Sequence, residues 1–168
     1  MDSTRVNGVD LHFADQGPPD GPAVVFCNSL GTDLRVWDAL LPHLPAGLRI
    51  LRYDKRGVGA SLAAAPDERD LSVEAYVSDA LAWSERLKGD PRFGELILVG
   101  HSEGALIASL AAPRSGAAAL ISIAGSGRPI DAVLREQLQG RLPPALLATS
   151  QYLIDELKAG RTHADIPE

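Results

Sequence analysis

Short, mainly apolar runs alternate with longer amphipathic stretches along most of this chain. Four such runs are typical of strands buried on both faces of a sheet: residues 23–27, 48–53, 95–99 and 118–124. Between them, residues 34–44 and 71–88 carry apolar side chains at helical spacing. A further helix after residue 104 is expected to end at Pro113 and Gly116. Because strands and helices alternate, we predict an α/β sandwich with a mostly parallel sheet.

Both ends of the chain depart from this alternation. Residues 5–13 form short alternating segments around Asn7 and Gly8, a dipeptide that favours a hairpin turn, so we expect an antiparallel hairpin at one edge. In the tail, two helical segments follow each other without an intervening strand. We therefore predict a core over residues 1–127 and a helical, lid-like segment over residues 128–168.

Composition narrows the class of protein. The 168 residues are enough for one domain core, and 45% of them are hydrophobic. A net charge of −6 without a basic patch argues against a nucleic-acid partner, and the apolar runs are too short to cross a membrane. The first residues lack the apolar stretch of a signal peptide, and the single cysteine, Cys27, excludes an internal disulfide. These features predict a cytoplasmic protein.

The strongest chemical signal is the segment Gly100-His101-Ser102-Glu103-Gly104. It lies between a predicted strand and a predicted helix, the context in which Gly-x-Ser-x-Gly forms a nucleophile elbow. The two glycines remove side chains that would clash in so tight a turn, and the helix N-terminus favours a developing oxyanion. Ser102 is therefore the candidate nucleophile. The alternative is a serine that only caps the following helix.

The order of these segments resembles the α/β-hydrolase superfamily. Asp54-x-Arg56-Gly57-x-Gly59-x-Ser61, the elbow and a helical insertion occur in that family's order. Residues 7–12 and 28–37 resemble the 3-oxoadipate enol-lactonases, whereas residues 53–61 and 100–104 resemble serine-aminopeptidase-type hydrolases. A changeover near residues 52–54 would fit a recombined chain.

The resemblance implies a serine hydrolase for a small carboxylic ester or lactone, with neither a cofactor nor a metal. Ser102 would form an acyl-enzyme, and the backbone N–H groups of Leu30 and Glu103 would form the oxyanion hole. We expect the Glu103 carboxylate to be solvated in the first turn of its helix; the alternative is a pocket residue that favours a cationic substrate. Asp54 and Arg56 are expected to hold their loop together as a charged pair rather than to react.

The base and the acid of a catalytic triad are harder to place. Only His163 follows Ser102 in the chain, as the family's order requires, and Asp131 is the matching candidate acid. The resemblance implies that both should follow further strands, and no convincing strand comes after residue 124. We therefore expect a C-terminally truncated chain with an incomplete sheet.

An incomplete sheet has two consequences. It leaves open the alternative of a non-catalytic hydrolase fragment with a binding role, or of a fragment that another chain complements. The strand at residues 118–124 would also become an edge with unpaired backbone groups, through which the protein would self-associate.

Overall fold

The computed structural model describes residues 2–162 of the chain. The chain divides into two compact units, Met1–Gly125 and Ser126–Glu168. The first unit holds the sheet and two α-helices, and the second holds two further α-helices.

The first unit contains six strands: β1 Asp2–Val6, β2 Val9–Gln16, β3 Ala23–Cys27, β4 Arg49–Tyr53, β5 Leu96–His101 and β6 Ala119–Ile123. They form one sheet with the order β1-β2-β4-β3-β5-β6. β1 and β2 pair antiparallel, as do β2 and β4, whereas β3 pairs parallel with β4 and β5, and β5 pairs parallel with β6. The predicted α/β fold with a mostly parallel sheet and an N-terminal antiparallel hairpin is therefore confirmed.

The opening hairpin follows its predicted turn chemistry. Asn7 and Gly8 both have positive φ, at 47° and 78°. This is the conformation that a two-residue hairpin turn with right-handed strand twist requires, and an Asn-Gly pair adopts it with little strain.

One face of the sheet packs against two helices, α1 Val73–Lys88 and α2 Glu103–Ser115. Ser72 caps α1 by accepting a hydrogen bond from the Ala75 amide. α2 continues past Pro113, so the prediction that this proline helps to end the helix is wrong; Gly116, at φ +68°, ends it. Pro113 lies in the last turn, where its missing N–H removes a single helical hydrogen bond.

The opposite face is covered by two short 3₁₀ helices, Leu34–Trp37 and Leu41–His43. The prediction of one helix over residues 34–44 is therefore wrong. Its apolar spacing is real, since Trp37 packs on Phe26 with ring centroids 4.5 Å apart. Pro42, however, lacks the N–H that a continuous α-helix would need there. Two more 3₁₀ turns, Gly59–Ala64 and Glu68–Asp70, follow β4.

β6 is the edge strand of the sheet within the described residues 2–162. It pairs with β5 alone, and all five of its residues are exposed. The expected edge at this strand is confirmed.

The second unit consists of α3 Ile130–Leu138 and α4 Pro144–Lys158. Ion pairs join the two helices: Arg135 to Asp155 at 2.6 Å and Lys158 to Asp131 at 2.5 Å. Neither helix has a buried residue.

Candidate active site

The serine turn, residues 100–104, joins β5 to α2 in a strained conformation. Ser102 has φ 55° and ψ −116°, a region that side-chain-bearing residues rarely occupy. A hydrogen bond from the Ser102 amide to the Ile123 carbonyl, 2.9 Å long, ties the turn to the end of β6. The Ser102 side chain is exposed at this point.

Both glycines of the turn are required by close backbone contacts. A Cβ on Gly100 would lie 2.1 Å from the Gly104 carbonyl oxygen, and a Cβ on Gly104 would lie 2.0 Å from the Cys27 carbonyl oxygen. The second contact brings the serine turn against the end of β3. The Gly-x-Ser-x-Gly spacing therefore reflects packing in this protein and not the turn alone.

The loop after β3, residues 28–33, lies beside the serine turn because Cys27 pairs with Gly100 across the sheet. Buried Asn28 fixes the start of this loop through its side chain. The Asn28 Nδ2 atom donates to the Tyr53 carbonyl at 2.7 Å, and the Asn28 Oδ1 atom accepts from the Trp37 indole N–H at 2.6 Å. The next residue, Ser29, hydrogen-bonds through its hydroxyl to Nδ1 of His101. This bond joins the residue before Leu30 to the residue before Ser102.

The amides of Leu30 and Glu103, which sequence analysis singles out, belong to these two neighbouring segments. Within residues 2–162, neither amide donates a hydrogen bond to another protein group. The Glu103 amide is the first N–H of α2, a position where no preceding helical residue supplies an acceptor. Within the described residues, both amides are thus donors without a protein acceptor, in two segments that the Ser29–His101 bond joins.

Asp54 organises the segments around this site, but not in the way the sequence suggests. Its carboxylate accepts from the backbone amides of Leu34 and Ala60, each at 2.8 Å. Gly59 is needed beside it, because a Cβ there would lie 2.5 Å from the carboxylate. The predicted Asp54–Arg56 pair is wrong, since both oxygens of Asp54 are used by backbone donors.

Arg56 instead pairs with Asp79 of α1 in a two-pronged geometry. Its Nε and Nη2 atoms donate to the two oxygens of Asp79 at 2.8 and 2.6 Å. Asn7 adds a third donor to the same carboxylate at 2.9 Å. Both charged residues are buried, and the Asp79 carboxylate holds the pKa of Arg56 above its usual value. This network attaches the loop after β4 and the opening hairpin to α1.

Glu103 is also placed differently from the expectation of a solvated carboxylate. Its side chain forms an ion pair with Lys55, whose side chain is only 1% exposed. The Lys55 ammonium also lies 4.9 Å from the centre of the Tyr76 ring. Spacing along the chain does not predict this pair, because 48 positions separate its partners. The available sequence signal for this ion pair was a Lys in the loop after β4 together with a Glu directly after the serine.

Cys27 is a buried residue at the end of β3, as the sequence suggests. Its thiol lies 3.8 Å from the Tyr53 hydroxyl, and burial raises the pKa of the thiol to about 11. Such a thiol is protonated at neutral pH and is a poor nucleophile.

The roles of the candidate base and of the candidate acid stay predictions. His163 lies outside residues 2–162. Asp131 is in the second unit, where the Lys158 ammonium lowers the pKa of its carboxyl. Within residues 2–162, the Ser102 hydroxyl forms no hydrogen bond with a histidine; His101, the nearest in sequence, is directed to Ser29.

The described part of the chain offers neither a metal cluster nor a membrane span. Residues 2–162 contain no group of three or more His, Cys, Asp or Glu side chains that could hold a metal ion. No helix in the same range is long and apolar enough to cross a membrane.

Comparison with known proteins identifies the class. A family described as the alpha/beta hydrolase family matches residues 24–167, so the chain belongs to the α/β-hydrolase family. A proline iminopeptidase-related protein from Thermus thermophilus has a similar structure, with a TM-score of 0.67 and 26% identity over 87% of this chain and 57% of that chain.

Two curated relatives show the range of activities among similar proteins. A 2-heptyl-3-hydroxy-4(1H)-quinolone dioxygenase from Mycobacteroides abscessus is 32% identical over 115 residues, which is 67% of this chain and 39% of the relative. The 3-oxoadipate enol-lactonase 1 of Acinetobacter baylyi is 41% identical over 58 residues, 34% of this chain and 22% of the relative. This chain therefore spans well under half the length of these relatives. The assignment of its two halves to different branches stays a prediction.

Proposed function

We propose that this protein is a serine hydrolase of the α/β-hydrolase family that cleaves a small carboxylic ester or lactone through an acyl-enzyme on Ser102. The observation that carries the proposal is the serine turn: Ser102 is exposed and has φ 55°, and close backbone contacts require glycine at positions 100 and 104. The amides of Leu30 and Glu103, in the two segments that meet there, donate to no other protein group within residues 2–162. Membership of the family and the enol-lactonase relative support hydrolysis of an acyl–oxygen bond.

Acylation begins when the Ser102 hydroxyl proton passes to a base and Oγ bonds to the carbonyl carbon. The carbonyl π electrons move onto oxygen, and the Leu30 and Glu103 amides donate to this oxyanion. When the oxyanion collapses, the bond to the leaving oxygen breaks, and that oxygen takes the proton from the base. Water then attacks the acyl-enzyme in the same manner and releases the acid.

The base in this mechanism is a histidine, for which the chain offers His163. A histidine from a second polypeptide would serve in the same position. Asp131 is the candidate acid within the chain, although its ion pair with Lys158 gives it a partner of its own in the second unit.

A fluorophosphonate probe, which forms a covalent bond with an activated serine, tests this proposal. We expect the purified chain to be labelled at Ser102 and the Ser102→Ala variant not to be. Ser109→Ala is the matched control, because Ser109 is also exposed and lies on the helix that follows the serine turn. Labelling that is absent from the wild type, or is unchanged in Ser102→Ala, would overturn the proposal.

The source of the base is tested in the same assay. If His163 takes the proton, His163→Ala lowers the labelling rate by a factor of about 10³ or more, the scale seen when a triad member is removed. Wild-type labelling that does not change in His163→Ala would assign the base to another residue or another chain.

One observation favours a second candidate, a non-catalytic binding protein: within residues 2–162, the Ser102 hydroxyl has no histidine partner. This candidate predicts that small lactones bind reversibly to the wild type and to Ser102→Ala with equal affinity. Nuclear magnetic resonance titration of the Leu30 and Glu103 amides would detect such binding. Mass spectrometry of the intact protein would distinguish such binding from catalysis, because reversible binding forms no acyl-enzyme.

A further inference from the structure

Lys55 is a buried cation that the proposed chemistry does not yet use. It follows β4, and its side chain is 1% exposed, packed with its ammonium near the Tyr76 ring and in contact with the Glu103 carboxylate. Lysine is rarely so completely buried, because removing an ammonium from water is costly unless it is paired. Glu103, at 21% exposure, retains some contact with water.

The position of Glu103 makes this pair relevant to Ser102. The Glu103 amide is one of the two proposed oxyanion donors, so its carboxylate belongs to a residue whose backbone contacts the developing oxyanion. A carboxylate without a partner on that residue would oppose the transition state, since like charges repel. The ion pair with Lys55 cancels that charge and directs the carboxylate toward the interior.

The other charged groups near Lys55 are already committed. Arg56 is bonded to Asp79, and both oxygens of Asp54 accept from backbone amides. Lys55 is therefore the cation that contacts Glu103 within the described residues 2–162.

We propose that Lys55 is a positioning residue that neutralises Glu103, so that the oxyanion beside the Glu103 amide forms without repulsion. This inference rests on the proposed hydrolase function of Ser102. It assigns the Glu103 side chain no attractive role toward substrate, and it predicts a site that does not favour cationic acyl groups.

The test compares labelling rates of four proteins: wild type, Lys55→Met, Glu103→Gln and the double variant. We expect Lys55→Met to lower the rate about tenfold, the size expected for a unit charge on the order of 10 Å away at an effective dielectric constant of about 20. Glu103→Gln supplies the reference rate without the carboxylate charge, and we expect it to be labelled about tenfold faster than Lys55→Met. The double variant should regain the Glu103→Gln rate, since no carboxylate remains to be neutralised.

A role for Lys55 in packing alone predicts a different result. The double variant would then be labelled as slowly as Lys55→Met, and that outcome would overturn the inference. Should Lys55→Met fail to fold, the double variant still decides, because it leaves neither charge unpaired. A folded double variant labelled at the Glu103→Gln rate supports the inference, and one labelled at least tenfold more slowly contradicts it.

Two phosphonate probes of equal shape, one with a trimethylammonium group and one with a tert-butyl group, give a second readout. In Lys55→Met the uncompensated carboxylate should raise the cationic-to-neutral labelling ratio severalfold, and the double variant should return it to the Glu103→Gln value. A ratio that is the same in all four proteins would contradict charge compensation.

If the wild type is labelled no more than Ser102→Ala, the proposed function itself fails, and this inference fails with it.

Discussion

β3 and β6 are strands of equal length and similar apolar composition, yet they occupy opposite environments. All five residues of β3, Ala23–Cys27, are buried, and all five residues of β6, Ala119–Ile123, are exposed. β3 pairs with β4 on one side and with β5 on the other, whereas β6 pairs with β5 alone within residues 2–162. An apolar run thus predicts a strand, but the neighbours of that strand decide how much its side chains stabilise the fold.

The largest expected difference between the two strands is in the free energy of unfolding. Val25→Asp places a carboxylate in a site with no exposure and should destabilise the protein by about 4 kcal/mol or prevent folding. Ile121→Asp changes a side chain that is 50% exposed and should cost less than about 1 kcal/mol. Urea denaturation followed by circular dichroism measures both. Similar losses in the two variants would show that β6 is covered in solution.

Thiol reactivity provides the next contrast. Burial raises the pKa of Cys27 to about 11, so at pH 8 its thiolate fraction is about two hundredfold below that of an exposed cysteine. Iodoacetamide should therefore modify the new thiol of Ile121→Cys and leave Cys27 intact, as peptide mass spectrometry would report. Equal modification at pH 8 would contradict the buried position of Cys27.

The raised pKa of Cys27 also makes the free energy of unfolding depend on pH. Because the pKa is higher in the folded protein than in the unfolded chain, the neutral thiol stabilises the fold at low pH, and this contribution is lost between about pH 9 and 11.

The smallest expected effect concerns self-association through β6, for which we predict antiparallel pairing between the edges of two copies. Ile121→Lys should weaken this association about tenfold, since a charge on an edge strand opposes pairing. Leu106→Lys is the matched control, because Leu106 is 45% exposed and belongs to α2 rather than to the edge strand. Sedimentation velocity over a range of concentrations makes the comparison. A wild type that stays monomeric at high concentration, or equal weakening by both variants, would refute the pairing.

Local rules were sufficient to predict several features from the sequence. The hairpin turn at Asn7 and Gly8 and the serine turn at Ser102 depend on residues next to one another, whose backbone requirements are written in the sequence itself. The alternation of strands and helices likewise gave the fold class. The edge at β6 followed from the lack of a later strand in the pattern.

Long-range contacts were beyond those rules. The pairing of Lys55 with Glu103 and of Arg56 with Asp79 depends on which segments the sheet brings together, and spacing along the chain does not reveal it. The wrong prediction of one helix over residues 34–44 has a different origin. It followed the apolar spacing and disregarded Pro42, whose missing N–H is enough to favour two short 3₁₀ helices there. The roles of His163 and Asp131 stay predictions.

The pairing of β3 with β5 also sets an order of events during folding. Residue 23 pairs with residue 96, and the serine turn rests against the carbonyl of Cys27. Closing a chain segment of this length costs about 4 kcal/mol of entropy before any contact compensates for it. We therefore predict that the turn at Ser102 forms after β3, β4 and α1 have gathered. A nascent chain released before β5 emerges would then hold the 28–33 loop without the surface that shapes it.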